Sequence, residues 1–406
     1  MRILLVHNFY GSSTPSGENQ VFSLESSLLE SYGHEILHFT RNSDDIIEGG
    51  VRGLIKGALS TPWNPFAAIS LQNAISLFKP DVIHAHNTFP LISPSIYSQI
   101  GNQAACVLTL HNYRLFCPAG IPLRNGNVCT DCIDRRSIIP SIKHGCYRSS
   151  RIATIPLATS VALHRKLQTW SNHIDGFIAF TEFQRKLLVK AGLNRKLIHI
   201  KPNFFPGNIQ VIEWKNRSSY VVFAGRLSKE KGVESLINAW LKWGASAPEL
   251  RILGDGPLRR KLEEISLSRP NIPISFYGKI PAKDVEKQIS RSKLLVLPSE
   301  CFEGFPMVVR EAFAFGTPVA ASNIGPLPEI ITDGKNGLIF EPNNPNSLFE
   351  VVKNVWDDDP LLKLLGNQSR EDFNDKYTES VNYKKLIKVY EQAILVNQNR
   401  LKRKPL

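Results

Sequence analysis

Long apolar runs are missing from this sequence, and their absence limits how the protein can meet a membrane. No stretch reaches the roughly 18 consecutive apolar residues that a bilayer-spanning helix requires. The amino terminus has four consecutive apolar residues, Ile3–Val6, before polar residues follow. That run is too short for the core of a signal peptide and is typical of a first β-strand. We therefore expect a cytoplasmic protein, able to attach peripherally to the inner face of a membrane.

Cysteine is also scarce, with six among 406 residues. These are too few and too clustered for a disulfide scaffold of this size. Acidic residues are outnumbered by basic ones, 36 to 49, so the net charge is +13. A basic surface suits anionic partners such as nucleic acid, acidic lipid or phosphorylated substrates. Because the sequence contains no recognisable nucleic-acid-binding module, we expect no nucleic-acid partner.

The length and the patterning predict two α/β domains. A chain of 406 residues exceeds one ordinary domain. Short β-branched runs alternate with helical patterns, which indicates parallel sheets wrapped by helices. The predicted strands form one series, Arg2–His7, His34–Thr40, Asp81–His84, Ala105–Leu110, Ile174–Phe180 and Lys196–Ile200, and a second, Tyr220–Ala224, Glu249–Leu253, Ile272–Tyr277, Lys293–Leu297 and Pro318–Ala320.

Each series restarts with a strand, a glycine-containing loop and a helix, so we expect two doubly wound sheets. Pro, Gly and Asn interrupt regular structure after Pro202. We place an N-terminal domain at 1–203, a linker at 204–218 and a C-terminal domain at 219–406, with the last helix able to pack back on the N-terminal domain. Ligands bind at the carboxyl ends of such strands, so two facing sheets would share a cleft.

Two loops of the second half have features of a phosphate site. The loop Gly225–Gly232 joins a strand to a helix and carries Arg226 and Lys231. Free backbone N–H groups at a helix start and two cations can neutralise a diphosphate. The segment Gly254–Pro257 follows another strand, where glycine permits close approach of the backbone and proline suits the first helical position. The alternatives are a solvated basic turn and a tight turn between strand and helix.

Three carboxylates follow in the next two motifs. Pro306 is predicted to open a helix, with Glu303 in the loop before it and Glu311 buried inside it. Buried carboxylates seldom lack a partner, and sugar hydroxyls could supply one. Otherwise Glu303 is a capping charge and Glu311 an ion-paired helix residue. Glu329 lies in a later loop that either reaches the same ligand or is ordinary surface.

The order of these motifs resembles that of the family-4 retaining glycosyltransferases with the GT-B fold. The segments that carry the resemblance are GRLSKEKG, GDGP, EGFPMVVREAFAFGTPV and GPLPEIITDGKNGLIFEP, and the similarity covers nearly the whole chain, including Asp175–Phe180. The resemblance implies two Rossmann-like domains facing each other across a cleft. It also implies that Arg226 and Lys231 bind the donor diphosphate. Glu311 would hold the ribose hydroxyls and Glu303 would contact the transferred sugar.

The same resemblance assigns roles in the first half. The loop from Gly11 to Gly17 would approach the donor, although the usual paired glycines are reduced here to Ser16-Gly17. His111, at a strand end, would sit beside the sugar, and the alternative is a satisfied core histidine. His84 and His86 are weaker candidates.

Retention often implies a carboxylate nucleophile. The resemblance instead implies attack on the face from which the nucleotide leaves, so that the protein positions the reactants and stabilises charge on the leaving diphosphate. We expect no catalytic metal, because protein cations can do this.

Four cysteines fall in an insertion at about 112–150. Eleven residues separate Cys117 from Cys129, and thirteen separate Cys132 from Cys146. Their thiolates could form a tetrahedral structural zinc site, in which His144 could replace one of them. The alternative is four unrelated thiols.

A basic and apolar stretch, Ile152–Leu167, adjoins that insertion. It would either lie on an anionic bilayer beside a lipid-linked acceptor, or form a half-buried helix near the cleft.

These features favour a retaining, hexosyltransferase-type glycosyltransferase that uses a nucleotide-diphosphate sugar. The acceptor would be a saccharide or a polyprenyl-linked saccharide, in surface polysaccharide biosynthesis. The alternatives are a GT-B-fold sugar-nucleotide epimerase or hydrolase and a noncatalytic sugar-nucleotide-binding subunit.

Overall fold

The chain folds into two compact units. The computed structural model describes residues 1–11, 16–101 and 103–403. Unit 1 comprises Met1–Pro122, Thr130–Pro202 and Asn382–Leu406, whereas unit 2 comprises Leu123–Cys129 and Asn203–Val381. The final helix therefore belongs largely to unit 1, and the linker segment 204–218 belongs to unit 2. Within the described ranges, no helix combines the length and apolarity needed to cross a bilayer.

Strands and helices alternate in both units. The strands are β1 (Arg2–Phe9), β2 (Glu35–Asn42), β3 (Val82–Asn87), β4 (Ala105–Thr109), β5 (Leu123–Arg124), β6 (Asn127–Val128), β7 (Gly176–Ala179), β8 (Ile198–Ile200), β9 (Tyr220–Ala224), β10 (Glu249–Leu253), β11 (Ile274–Gly278), β12 (Leu294–Leu297), β13 (Val319–Ser322) and β14 (Gly337–Phe340). The helices are α1 (Gly17–Ser31), α2 (Asp44–Glu48), α3 (Gly50–Ser60), α4 (Pro65–Phe78), α5 (Tyr97–Ile100), α6 (Asp131–Asp134), α7 (Ile139–His144), α8 (Arg151–Lys166), α9 (Thr169–His173), α10 (Glu182–Lys190), α11 (Val233–Trp243), α12 (Arg259–Leu267), α13 (Ala282–Arg291), α14 (Met307–Ala314), α15 (Leu327–Ile330), α16 (Pro345–Trp356), α17 (Asp359–Lys376) and α18 (Glu379–Arg403).

Unit 1 is built on a parallel six-stranded sheet in the order β2-β1-β3-β4-β7-β8. Successive residues of a strand point to opposite faces, so the apolar run of β1 divides between two cores. Leu4 and Val6 pack in the core that includes α4 and α10. Ile3 and Leu5 pack in the core that includes α1 and α18. Burial on both faces is what a parallel sheet requires.

Unit 2 repeats the architecture, with parallel strands in the order β11-β10-β9-β12-β13-β14. The predicted pair of doubly wound α/β sheets is confirmed. The sequence prediction missed β14, a four-residue strand that lies inside a motif rich in turn residues. Pro257 was expected at the first position of a helix, which was wrong, because α12 begins two residues later at Arg259.

Three glycines hold the loops of unit 2 in backbone contact. Gly254 has φ +131°, and a Cβ there would lie 1.9 Å from the carbonyl oxygen of Gly225. A Cβ on Gly256 would lie 2.5 Å from the Leu227 oxygen, and one on Gly232 would lie 1.8 Å from the Pro298 oxygen. The loops after β9, β10 and β12 therefore touch at positions that only glycine can occupy.

Substitution of Gly254 tests this contact. Gly244→Ala is the control, because Gly244 has φ +82° and no atom lies within 4 Å of the added Cβ. We expect it to lower the free energy of unfolding by roughly 1–3 kcal/mol through backbone strain alone. Gly254→Ala should cost more, because the Gly225 carbonyl must also move. Urea and thermal unfolding of both variants measure the difference. Equal losses would show that the two loops separate without cost.

Candidate active site

Lys231 and Glu303 form an ion pair between the loops after β9 and β12 of unit 2. Together with the loop after β10, these loops are called the loop cluster. Lys231 Nζ lies 2.6 Å from Glu303 Oε1, and Ser299 Oγ donates to the same oxygen at 2.7 Å. Lys231 ends the loop after β9, and Glu303 lies in the loop between β12 and α14. Burial opposes the charge on Lys231, but the Glu303 carboxylate outweighs it and raises the pKa of the lysine. The structure thus brings two predicted site residues together.

Glu311 lies on α14, although not in the core. It was predicted to be buried among Val309 and Phe313; those two residues are buried, whereas Glu311 is partly exposed. Val309 and Phe313 are four residues apart and share one face of the helix, from which Glu311 is turned away. Desolvation nevertheless raises the pKa of Glu311, while the charge of Arg310 acts in the opposite direction.

Arg310 is a buried cation that the sequence prediction overlooked. It is fully buried, and its guanidinium lies 5.6 Å from the centre of the Phe205 ring. Within the described residues, none of its three guanidinium nitrogens has a hydrogen-bond partner. Burial lowers its pKa to about 10. Only its position directly before Glu311 could have drawn attention to it.

The loop before α15 borders this cluster, and two further predicted residues of unit 2 are exposed. A Cβ on Gly325 would lie 2.8 Å from Cδ1 of Phe302, so the loop that precedes α15 packs beside the residue before Glu303. Glu329 is exposed on α15, where its charge contributes to raising the pKa of the buried Tyr377. Arg226 is exposed in the loop after β9. The structure therefore places Arg226 and Glu329 at the surface of the unit.

In unit 1, His111 follows β4 and contacts a histidine of the neighbouring strand β3. His86 Nδ1 lies 3.0 Å from His111 Nε2, and the two rings stack with 5.2 Å between their centres. Desolvation lowers the pKa of both histidines well below the usual value, and their histidine neighbours add to the effect. Both rings are therefore neutral near pH 7.

Beneath these histidines lies a buried ion pair that was not predicted. Lys201 donates to Glu25 Oε1, and also to Asn382 Oδ1 at 3.2 Å. Both charged side chains are fully buried. The carboxyl group of Glu25 also approaches His84 and His86.

Glu25, His84 and His86 have ligand atoms within 4.8 Å of one another, which makes them the one metal-ligand group found among the described residues. The group is already engaged by protein partners, however. His84 contacts Tyr390 Oη at 2.8 Å and Thr109 Oγ1 at 2.7 Å through its two ring nitrogens. Since Lys201 also neutralises Glu25, these three residues act as a hydrogen-bonded core cluster.

The predicted donor loop of unit 1 can be traced only in part. Ser12–Pro15 lie outside the described residues. Gly17 is exposed at the start of α1, where the Ser16 side chain accepts a bond from Asn19 N. Next to His111, Asn112 donates to Glu18 Oε1 at 2.7 Å.

The four predicted zinc ligands form no disulfide. Burial, followed by the influence of the Cys132 thiol, raises the pKa of Cys117 to about 12, and Cys146 acts in the same direction. Among the described residues, no three of these cysteines have their sulfur atoms within 4.8 Å of one another. Cys129 ends the short segment that belongs to unit 2. The zinc site stays a prediction.

Two family models cover most of the chain. The model described as "Glycosyltransferase Family 4" matches residues 18–206, and the model described as "Glycosyl transferases group 1" matches residues 205–372. The boundary between them coincides with the start of unit 2.

Individual relatives are distant or partial. An uncharacterized glycosyltransferase of Methanocaldococcus jannaschii is 29% identical over 51% of this chain and 54% of its own length. An exopolysaccharide phosphotransferase of Streptomyces coelicolor is 32% identical over 49% of this chain and 21% of its own length. The chain thus spans about half or less of these curated relatives. A sulfoquinovosyl transferase of Arabidopsis thaliana is 22% identical over 89% of this chain and 68% of its own length.

Solved structures share the fold over nearly the whole chain. The Anabaena protein HepE, in complex with UDP and glucose, superposes with a TM-score of 0.63 at 17% identity, covering 96% of this chain and 99% of that one. The sucrose-phosphate synthase of Thermosynechococcus elongatus has a TM-score of 0.69 at 17% identity, covering 97% and 99%.

The contact between Lys231 and Glu303 has a measurable electrostatic consequence. We expect Glu303→Gln to lower the pKa of Lys231, because burial then acts without the compensating carboxylate. NMR titration of lysine side chains measures this shift. Glu263→Gln is the matched control, since Glu263 pairs with Arg259 on the surface and its removal should leave Lys231 unchanged. An unchanged Lys231 pKa in Glu303→Gln would contradict the pairing.

Proposed function

Because the chain belongs to the glycosyltransferases of group 1 and family 4, we propose that it is a retaining hexosyltransferase. The donor is a nucleotide-diphosphate sugar, and the acceptor is a saccharide or polyprenyl-linked saccharide of a surface polysaccharide pathway. The observation that carries the proposal is the Lys231–Glu303 pair at 2.6 Å, which sits where glycine-mediated contacts bring three loops together.

The loop cluster has the chemistry of a donor site. Arg226 and Lys231 can neutralise a diphosphate, and charge-assisted contacts to phosphate are strong. Glu303 and Glu311 can accept hydrogen bonds from sugar and ribose hydroxyls. HepE, which shares the fold, was solved with UDP and glucose, and this supports a nucleotide sugar as the donor.

The reaction exchanges one C–O bond for another at the anomeric carbon. The bond from this carbon to the diphosphate oxygen breaks, and the nucleoside diphosphate leaves with the electron pair. The acceptor hydroxyl oxygen forms the new bond on the same face, and its proton passes to the departing phosphate. Arg226 and Lys231 stabilise the charge that grows on the diphosphate, which lowers the barrier. This scheme assigns no step to a catalytic metal.

Kinetics of glutamate variants test the assignment. Glu311→Gln should mainly raise the donor KM, because ribose contacts are equally strong in the ground and transition states. Glu303→Gln should instead lower kcat, because its contacts to the transferred sugar and to Lys231 matter most as charge develops. Initial rates with a nucleotide-sugar panel and lipid-linked saccharides measure both constants.

The reverse pattern would overturn the two roles. Hydrolysis or epimerisation of the donor without transfer to any acceptor would overturn glycosyl transfer itself. Glu263→Gln again serves as the control that should keep wild-type constants.

We also propose that the cysteine insertion binds one structural zinc. Cys117, Cys132 and Cys146 would supply three of its ligands, since thiolates are the ligands that structural zinc prefers. Cys129 would supply the fourth ligand.

Metal analysis of reduced protein tests this site. We expect about one zinc per chain, lost in Cys132→Ser and retained in Cys301→Ser, because Cys301 is buried in unit 2. Chelation should also increase proteolysis within 112–150. A metal-free wild-type protein would exclude the zinc site.

An anionic membrane surface is the proposed location of the acceptor. The outward side of α3 carries Val51, Leu54, Ile55 and Leu59, which are 73%, 57%, 56% and 71% exposed. The opposite side of α3 packs closely through glycine. A Cβ on Gly53 would lie 2.2 Å from the Ile46 carbonyl oxygen. This helix therefore turns its apolar side to solvent, the reverse of an ordinary surface helix.

Basic residues lie beside this apolar face. The segment 135–174 contains seven of them and no acidic residue: Arg135, Arg136, Lys143, Arg148, Arg151, Arg165 and Lys166. Its helix α8 is half-buried, with Ile152 82% exposed and Leu157 buried. The two regions meet where His164 Nε2 contacts the Pro62 carbonyl at 2.9 Å. Apolar insertion and attraction to anionic lipid can act together here.

Vesicle flotation tests the membrane proposal. Wild-type protein should float with vesicles that contain anionic phosphatidylglycerol and less with neutral phosphatidylcholine vesicles, and high salt should weaken binding. Leu54→Ser with Ile55→Ser should abolish flotation, whereas Leu267→Ser, at an apolar position 74% exposed in unit 2, should not. Absence of wild-type flotation, or a change of oligomeric state in the double variant, would exclude a lipid occupant.

A further inference from the structure

Four polar side chains form a continuous line from the partly exposed His111 into the core of unit 1. His111 Nε2 lies 3.0 Å from His86 Nδ1, and His86 Nε2 lies 3.6 Å from Glu25 Oε2. Lys201 donates to the other oxygen of Glu25. Each of the last three residues is buried. The line thus connects the end of β4 with β3, α1 and the residue after β8.

The neighbours of His86 are engaged elsewhere. His84, whose ring centre lies 4.3 Å away, contacts Tyr390 and Thr109. His7, 6.2 Å away, contacts Asn19 Oδ1 through Nε2 at 2.9 Å. In the described part of the chain, His86 Nε2 and Glu25 Oε2 have no hydrogen-bond partner. A proton on His86 Nε2 can therefore point toward Glu25 Oε2 without competing with another contact.

The order of donors along the line follows from its buried end. The Glu25 carboxylate, paired with the Lys201 ammonium, can only accept hydrogen bonds. His86 must then carry its proton on Nε2, because that nitrogen faces the carboxylate. A neutral imidazole has one N–H, so His86 Nδ1 is an acceptor. His111 must donate from Nε2, which leaves its Nδ1 as a lone pair.

We propose that His86 and Glu25 are positioning residues that fix His111 as the Nε2–H tautomer and present its Nδ1 as a hydrogen-bond acceptor for a sugar hydroxyl. The burial that keeps both rings neutral is consistent with this role. The benefit to catalysis rests on the proposed glycosyl transfer. The tautomer of His111 does not depend on that proposed function.

The tautomer can be measured without substrate. In protein labelled with ¹⁵N-histidine, long-range ¹H–¹⁵N spectra should show His111 with its proton on Nε2, and the resonance is assigned by its loss in His111→Gln. Glu25→Gln places an amide donor opposite His86 and should shift His86, and with it His111, toward the Nδ1–H form. His111 as Nδ1–H in the wild-type protein, or no change in a folded Glu25→Gln, would overturn the proposal.

Kinetics separate positioning from simple packing. His86→Leu should lower kcat at least tenfold with little change in the donor KM. His86→Asn should recover much of this loss, because its carboxamide oxygen takes about the place of Nδ1 and can accept from His111. His34→Leu, which removes a contact to Tyr383 in unit 1, should keep wild-type kcat.

Equal losses in the leucine and asparagine variants, with both proteins folded, would overturn the positioning role. If instead His111→Gln transfers sugar at the wild-type rate, the proposed function of His111 fails, while the tautomer measurement still decides how Glu25 and His86 set the protonated nitrogen of His111.

Discussion

Parallel strand pairing is the constraint on which both candidate sites depend. All strand pairs of the two six-stranded sheets are parallel, so the carboxyl ends of neighbouring strands meet at one edge. His86 and His111 come from the neighbouring strands β3 and β4. Lys231 and Glu303 come from loops after the neighbouring strands β9 and β12, although 72 residues separate them. The same geometry thus makes one polar contact in each unit.

Glycine then determines how closely the loops at that edge can approach. In unit 2 the carbonyl groups of Gly225, Leu227 and Pro298 occupy space that a side chain would fill. Lys231 and Glu303, on two of these loops, are consequently held in contact. A diphosphate needs cations at such a place, because its charge is spread over several oxygens.

Local patterns allowed the fold and part of the site to be predicted. The β-branched runs marked most strands, since both faces of a parallel sheet are apolar, and the strand-loop-helix glycines located the loops around Lys231. β14 was missed because it has four residues inside a segment of turn formers. Glu311 is more exposed than was expected, because helical periodicity alone does not show which way a polar side chain between apolar neighbours points.

Contacts between distant charges could not be predicted. Glu25 and Lys201 are 176 residues apart, and each occurs in a stretch that reads as an ordinary solvated surface. Arg310 resembles any helical cation until its burial is seen. The outward apolar side of α3 is a similar case, because periodicity predicts a face but not the direction of that face.

The course of α18 has a consequence for biosynthesis. Its residues Leu386, Val389, Tyr390 and Ala393 share a core with Ile3 and Leu5 of β1, so the first strand and the final helix complete the same unit. Domains fold as units while the chain emerges from the ribosome. Unit 2, nearly contiguous from Asn203 to Val381, can close its core before α18 has been made. Unit 1 can therefore finish folding only after α18 has been translated, and the apolar face of its sheet that α18 covers stays open until then.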